Sequence, residues 1–302
     1  VRWIIALSLR TPELTPVIQR NLRGMGCAFA ASIGFSIAHG LVRPIATEIH
    51  AFEIVFFRSI FGILTMAPWF LRSGFEPLRT KRLGLHLFRV TIGVTSSLLF
   101  YWALTTAPLA KVTALSFLGV IFGVLYAGLF LGEVVSVKRW LAILVGFAGT
   151  LIILRPGYAE IEFGSLLALL AAAIWAFAMT LVKKLSSTES SVTITSYTVL
   201  FFSPAALLAS LFFWQWPSWQ VLGLLALMGV AATSSHLLFT QGLRDADVNV
   251  VLPLDFLRLI WVALIGFFFF AEVPSLFTWI GGGVILLSAM QITYDERKSD
   301  QT

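Results

Sequence analysis

Two side chains raise the first chemical question: Asp255 and Arg258 in the run PLDFLRLIWVALIGFFFFAE, Pro253 to Glu272. The run is apolar and long enough to cross a bilayer as a helix. About ten residues in, at ~1.5 Å rise each, Arg258 sits ~15 Å deep, near the midplane. An unpaired arginine there costs ~2.5–3.5 kcal/mol even on the most lenient insertion scale. Asp255, three residues earlier, lies on nearly the same helix face and can neutralise part of it. A guanidinium at that depth is suited to a carboxylate or phosphate. Asp255 could meet a substrate amino group or carry a coupling proton. Arg58, about six residues into a second apolar run and ~9 Å deep, is the other buried-base candidate.

Tyr101, Trp102, Trp175, Tyr197 and Trp261 are aromatic residues placed away from span ends. They suit stacking on a substrate or a cation, or ordinary helix packing. His236 and His39 are weaker candidates still, since a lone histidine on a membrane helix more often bonds a neighbouring carbonyl than a substrate. Enzymatic chemistry has no such footing: no His-Glu-x-x-His, Gly-x-Ser-x-Gly or His/Asp cluster falls in the spans. Cys27 is the single cysteine, which excludes an internal disulfide and a cysteine metal cage. No cofactor or metal is expected.

The elements positioning these residues follow from composition. Of 302 residues, 58% are hydrophobic and 12% charged, and the mean hydropathy is +0.91. A soluble domain of this length needs far more polar surface. A transmembrane β-barrel would show short alternating segments, and none appear. The expectation is an all-α membrane protein with spans at about 24–42, 52–72, 84–106, 109–131, 138–154, 163–183, 194–214, 219–240, 248–270 and 276–293. The net charge of +6 does not point to nucleic acid, because the basic residues lie between the apolar runs. Alternate loops collect fifteen Lys and Arg on one side, including Arg20, Arg23, Arg79, Lys81 and Lys184, against Arg43, Lys111 and Arg155 on the other. That bias places both termini in the cytoplasm. Residues 1–23 then read as a cytoplasmic N-terminal segment, since Trp3–Leu9 is too short to span, and 294–302 as a cytoplasmic tail.

The two halves repeat. The segment from Ser96 to Trp140 aligns without gaps, at a shift of 139, on Ser235 to Trp279. Leu98, Phe100, Phe117, Leu118, Glu133, Ser136 and Trp140 recur as Leu237, Phe239, Phe256, Leu257, Glu272, Ser275 and Trp279. Earlier spans match at a shift of 140, with Gly24, Ala38 and Val42 on Gly164, Ala178 and Val182. Five helices per copy force the second copy into the membrane from the opposite side. The expected architecture is therefore two inverted five-helix repeats, 24–157 and 158–293, around a central cavity. Inverted repeats suit alternating access, with substrate bound between the halves. The counterparts of Asp255 and Arg258 are Ser116 and Gly119, and Arg58 falls on Tyr197 or Thr198, so the charges break the symmetry. Glu133 and Glu272 keep it and read as structural, serving the helix starts near Ser136 and Ser275. Arg89 and His86 are expected to reach the cytoplasmic interface, and Lys111 the outer mouth. Gly34, Ala38 and Gly281–Gly283 suit close helix packing.

The stretches FFRSIFGILTMAPWFLR (56–72), TALSFLGVIFGVLYAGLFLGEVVSVKRWLAILVGFAGTLIILRPG (113–157) and PLDFLRLIWVALIGFFFFAEVP (253–274) carry a further signal. With them the chain resembles the EamA-type ten-helix members of the drug/metabolite transporter superfamily over essentially all of 24–293. The resemblance implies ten helices around a cavity in a cell inner membrane, moving small metabolites such as amino acids, often outward. Members usually carry a proline where Val120 and Leu259 stand here, so less kinked fourth and ninth helices are expected. The functional expectation is a secondary transporter of a carboxylate-bearing or zwitterionic metabolite, acting as an exporter, with an importer as the alternative. Its partners are the substrate, the bilayer and a coupling proton. A receptor or scaffold is the rival class, and the short loops weigh against it. The oligomeric state is not legible.

Overall fold

The structure, a computed structural model, describes residues 16–73, 80–130, 137–155, 160–186, 188–189, 191–245 and 254–299. Among them there is no strand. The helices are α1 (Pro16–Gly40), the short α2 (Val42–Ile45), α3 (Ala51–Ser73), α4 (Leu83–Thr106), α5 (Leu109–Ser116) and α6 (Leu118–Phe130). They continue as α7 (Val137–Leu154), α8 (Phe163–Ser186), α9 (Ser191–Ser210), α10 (Trp219–Asp245), α11 (Leu257–Phe270) and α12 (Leu276–Ser299). Five segments are long and apolar enough to cross a membrane: Leu22–Ile45, Leu83–Thr106, Leu109–Phe130, Phe163–Val182 and Trp219–Gly242. Four shorter apolar helices accompany them, at Trp140–Leu154, Leu200–Phe213, Leu257–Phe270 and Leu276–Gln291.

The packing partners repeat as the sequence does. α1 lies on α10 and α11, and its counterpart α8 lies in the same way on their counterparts α4 and α6. α3 packs on α10 as α9 packs on α4, while α3–α9 and α7–α12 pair counterpart with counterpart, and α5 lies on α11. Close backbones explain the tightest of these. A Cβ built on Gly149 of α7 would meet the Gly281 carbonyl of α12 at 2.8 Å, and one built on Gly281 would meet the Gly149 carbonyl at 2.5 Å. Gly281 thus does what its sequence position suggested, and Gly34 likewise faces Ser235, but Gly283 has open space. Gly281→Val should force the helices apart, costing about 1–3 kcal/mol, the usual cost of overpacking. A fall in Tm of the purified protein measures this, and an unchanged Tm refutes it.

The expectation of straighter fourth and ninth helices is corrected. Both are interrupted at equivalent residues, Phe117 between α5 and α6 and Phe256 just before α11. Val120 N–H bonds to the Phe117 carbonyl at 3.2 Å and Leu259 N–H to the Phe256 carbonyl at 2.9 Å, tight i→i−3 turns that break the α-helical ladder. Proline is not required because the two rings stack on each other, with centroids 3.9 Å apart and planes 18° apart. A pair of repeat counterparts in mutual contact marks the centre of the pseudo-symmetric bundle.

The ends of the bundle are distinguished by their polar clamps. At one, called upper here, Arg43 pairs with Glu272 and donates to the Ala107 carbonyl at 2.9 Å. Glu272 also accepts the Leu109 N–H at 3.0 Å. Glu272 therefore serves the start of α5 in the other repeat rather than the helix at Ser275, where the Ser275 hydroxyl itself accepts the Thr278 N–H. The reason is geometric: α5 and α11 are neighbours, so the end of one reaches the start of the other. Glu133 lies outside the described residues. Glu48 accepts from Ser218, and fully buried Glu53 accepts the His50 and Gln215 N–H groups at 2.9 and 2.7 Å. At the lower end Thr80 donates to Glu189 at 2.7 Å and Arg23 pairs with Asp245 at 3.5 Å.

His50, in the upper loop, makes this end sensitive to acid. Its ring stacks on Phe213 at 4.0 Å and its Nδ1 accepts the Phe52 N–H at 3.3 Å. Burial lowers its pKa below the ordinary 6.5. Because the folded value is depressed, the neutral ring's contribution is complete above 6.5 and is lost as pH falls toward the folded value. The Tm should therefore fall more between pH 7.5 and 5 in the wild type than in His50→Gln. Equal slopes would remove His50 from the account.

Candidate functional site

Arg258 and Asp255 do meet: Nη2 lies 3.2 Å from Oδ2, with 17% and 13% of their side chains exposed. The break at Phe256 sits between them. Phe117, stacked on Phe256, also presents its face to the guanidinium, whose carbon is 4.9 Å from that ring and 5.5 Å from the ring of Phe35. Ser36 donates to the Arg258 carbonyl at 3.2 Å, tying α1 to the interrupted helix. The pair does not satisfy itself, since Asp255 Oδ1 and Arg258 Nε are buried without a partner among the described residues. Buried polar atoms left this way are costly unless something else engages them.

Arg58, on α3, lies over Tyr101 of α4 at 5.0 Å and Phe202 of α9 at 5.9 Å. Its Nε is buried and unpartnered, and no described carboxylate stands within ion-pair distance. Arg58 and Arg258 both lie within electrostatic reach of His39 and His236, so the four groups share one interior region. His236 packs edge-on against Phe35 at 4.9 Å and His39 against Phe100 at 5.1 Å. Among the described residues the region thus holds two guanidiniums against one carboxylate. Cation–π contacts soften that excess without cancelling it.

The other sequence candidates lie elsewhere. Trp102 belongs to an upper-end cluster, 5.8 Å from Phe52 and 5.3 Å from Phe163. The half-exposed Trp175 covers Gly119, whose Cβ would meet the ring at 3.0 Å. At the repeat shifts, Trp175 and Gly119 are the counterparts of Phe35 and Arg258, so an aromatic ring flanks both positions and only one bears charge. Trp261 donates to Ser32 Oγ at 3.2 Å and meets Phe29 edge-on, pegging α11 to α1. Tyr197 stacks on His86 toward the lower end. Phe35, Phe100, Phe117 and Phe202 escaped the sequence reading because nothing separates a site phenylalanine from a packing one among 27.

One expectation about the basic residues changes, that for His86 and Arg89. Lys111 at the upper end is paired with Glu162 at 3.0 Å. His86 and Arg89 do not reach the interface, because α9 covers that face of α4: His86 is fully buried and Arg89 donates to Thr198. A cavity of about 480 Å³ at the upper end is lined by Arg43, Thr47, Thr105, Thr106 and Glu162 among others. None of the central charges borders it.

Repeated, interlocked apolar helices around interior charge that the described residues do not fully balance suit a polytopic membrane transporter. The chain belongs to the EamA-like transporter family, whose pattern it matches twice, at residues 22–155 and 162–294. It is 32% identical to a riboflavin transporter of Vibrio cholerae, over 93% of this chain and 96% of that one. An S-adenosylmethionine uptake transporter of Rickettsia felis is 26% identical over 95% and 97%, and a pseudopaline exporter of Pseudomonas aeruginosa is 27% identical over 88% and 94%. A solved crystal structure shares the fold with a TM-score of 0.61, at 19% identity, over 93% of this chain and 97% of that chain.

Proposed function

We propose that this chain is a secondary carrier of a small organic metabolite with a planar ring and acceptor oxygens, carboxylate above all, engaged by Arg258 and Arg58. The carrying observation is the pair of guanidiniums with buried Nε atoms, balanced among the described residues by Asp255 alone. Aromatic faces at Phe35, Tyr101, Phe117 and Phe202 already flank both charges and suit a flat ring. S-adenosylmethionine and riboflavin, named for two relatives, both contain planar nitrogen heterocycles. The first also bears a carboxylate.

The transport direction we favour is inward, as the word uptake implies for the Rickettsia relative. Outward movement, first expected from the family resemblance, keeps one relative in its favour, the pseudopaline exporter. The lower end is the cytoplasmic one, since the excess of Lys and Arg falls there. On this reading ten spans form two inverted repeats in a cell inner membrane, and Asp255 carries the coupling proton or meets a substrate amino group.

The test is uptake of S-adenosylmethionine, riboflavin and flavin mononucleotide into proteoliposomes of known orientation. Saturable uptake of at least one, reduced in Arg58→Ala, is expected. No counterflow with any of the three, or full rates in Arg58→Ala, would exclude the reading. Asp255→Asn should lose its response to an imposed pH gradient; a full response removes it from coupling.

A further inference from the structure

The lower half of the α4–α9 seam holds a set of groups that the central site does not use. His86 is fully buried, and neither ring nitrogen has a hydrogen-bond partner among the described residues. One turn along α4, Arg89 donates to Thr198, and its Nε is buried and unpartnered. Tyr197 stacks on His86 with centroids 4.5 Å apart and planes 25° apart, and on Phe201 at 5.7 Å and 9°. Phe202, next to Phe201, flanks Arg58. Three nearly parallel rings, His86 of α4 with Tyr197 and Phe201 of α9, therefore form a stack beside Arg89 that ends next to Phe202.

The repeat gives this set a meaning. Thr198 is the counterpart of Arg58 at the shift of 140, and Arg89 falls opposite it on α4. In the other half of the bundle α3 meets α10 in the equivalent way, Gly229 pressing on the turn of Arg58, whose carbonyl its Cβ would meet at 3.0 Å. The seam thus keeps one arginine in each half but moves it to the partner helix. Arg58 is seven residues below the start of α3, ~10 Å from the upper end, and Arg89 six residues above the start of α4, ~9 Å from the lower end. Arg258 lies between them in depth.

We propose that Arg89, with His86, Tyr197 and Thr198, is a second binding station for the anionic group of the substrate, reached from the lower side when the α4–α9 seam opens. It rests on the proposed carrier function and extends it: the anion passes between guanidiniums at three depths while a planar ring slides along the stacked rings. Thr198 holds Arg89 in waiting through a single uncharged hydroxyl acceptor, which an incoming carboxylate or phosphate outcompetes because it carries the opposite charge and can take two parallel bonds from the guanidinium. Glu189, whose charge reaches His86, and Arg89 itself are the described charges facing that ring.

The experiment needs no transported substrate, so its failure is distinguishable from failure of the carrier reading. Cys27→Ser removes the single thiol, and Thr198→Cys then places one beside Arg89. In inside-out vesicles, the rate of modification by an anionic methanethiosulfonate (sulfonatoethyl) is compared with that by a cationic one (trimethylammonioethyl). The expected result is a faster anionic reaction than in bulk thiol, by about tenfold relative to the cation, with the preference lost when Arg89→Gln is added. Equal preference with and without Arg89, or no reaction with either reagent in vesicles that retain the native Tm, overturns the station. The same reagents at Ser59→Cys, near Arg58, report the upper-end counterpart from right-side-out vesicles.

Discussion

Arg258→Ala should abolish saturable transport while leaving a protein that a second change can restabilise. Truncating one partner of a buried charge-assisted contact costs about 2–5 kcal/mol, which is about 30-fold or more in substrate affinity or kcat/KM at 1.36 kcal/mol per tenfold. The substitution also strands Asp255, whose Oδ2 is held by Arg258 at 3.2 Å and whose Oδ1 is already unpartnered. A fall in Tm alone would therefore fit a purely structural ion pair. Adding Asp255→Asn to Arg258→Ala removes the stranded charge and should recover most of the Tm without recovering transport. A double variant that transports at wild-type rates would reduce the pair to a packing element.

The second large effect is expected at the upper end. Glu272→Ala leaves the Arg43 guanidinium with carbonyl acceptors only and exposes the first N–H of α5 at Leu109. Breaking a fully buried pair costs about 3–5 kcal/mol; with 26% and 15% of these side chains exposed, about 2 kcal/mol is the reasonable share. The Tm should fall by several degrees. Glu272→Gln, which keeps an acceptor for Leu109, should fall less. Because Arg43 and Leu109 belong to the first repeat and Glu272 to the second, the clamp ties the repeats together, and on the proposed carrier reading it breaks when the upper end opens. Glu272→Ala should therefore raise labelling of upper-end cysteines such as Thr47→Cys. A variant with native Tm and native labelling would show that the clamp carries neither load.

Several features were legible from residues alone because they rest on periodicity or cost. The repeat followed from matched landmarks, and the packing pairs exchange as it requires. The meeting of Asp255 and Arg258 followed from i, i+3 spacing on one helix. What spacing cannot supply is which helices become neighbours. Glu272 was assigned to its own following helix, whereas α5 lies closer; Arg89 was assigned to the interface, whereas α9 buries it. The kinks at Phe117 and Phe256 escaped because proline is a local cause of bending, and here the cause is a contact between residues 139 apart in sequence. The site phenylalanines escaped for the same reason: their role depends on a cation arriving from another helix.

The most direct test is thermal stabilisation of the purified protein by S-adenosylmethionine, riboflavin and flavin mononucleotide, measured in wild type, Arg58→Ala and Arg258→Ala. A ligand at 100 times its Kd stabilises the folded state by about 2.7 kcal/mol, enough to move Tm by several degrees. The account predicts stabilisation of the wild type by at least one of the three, lost in both variants. Undiminished stabilisation of both variants, or none in the wild type, would contradict it.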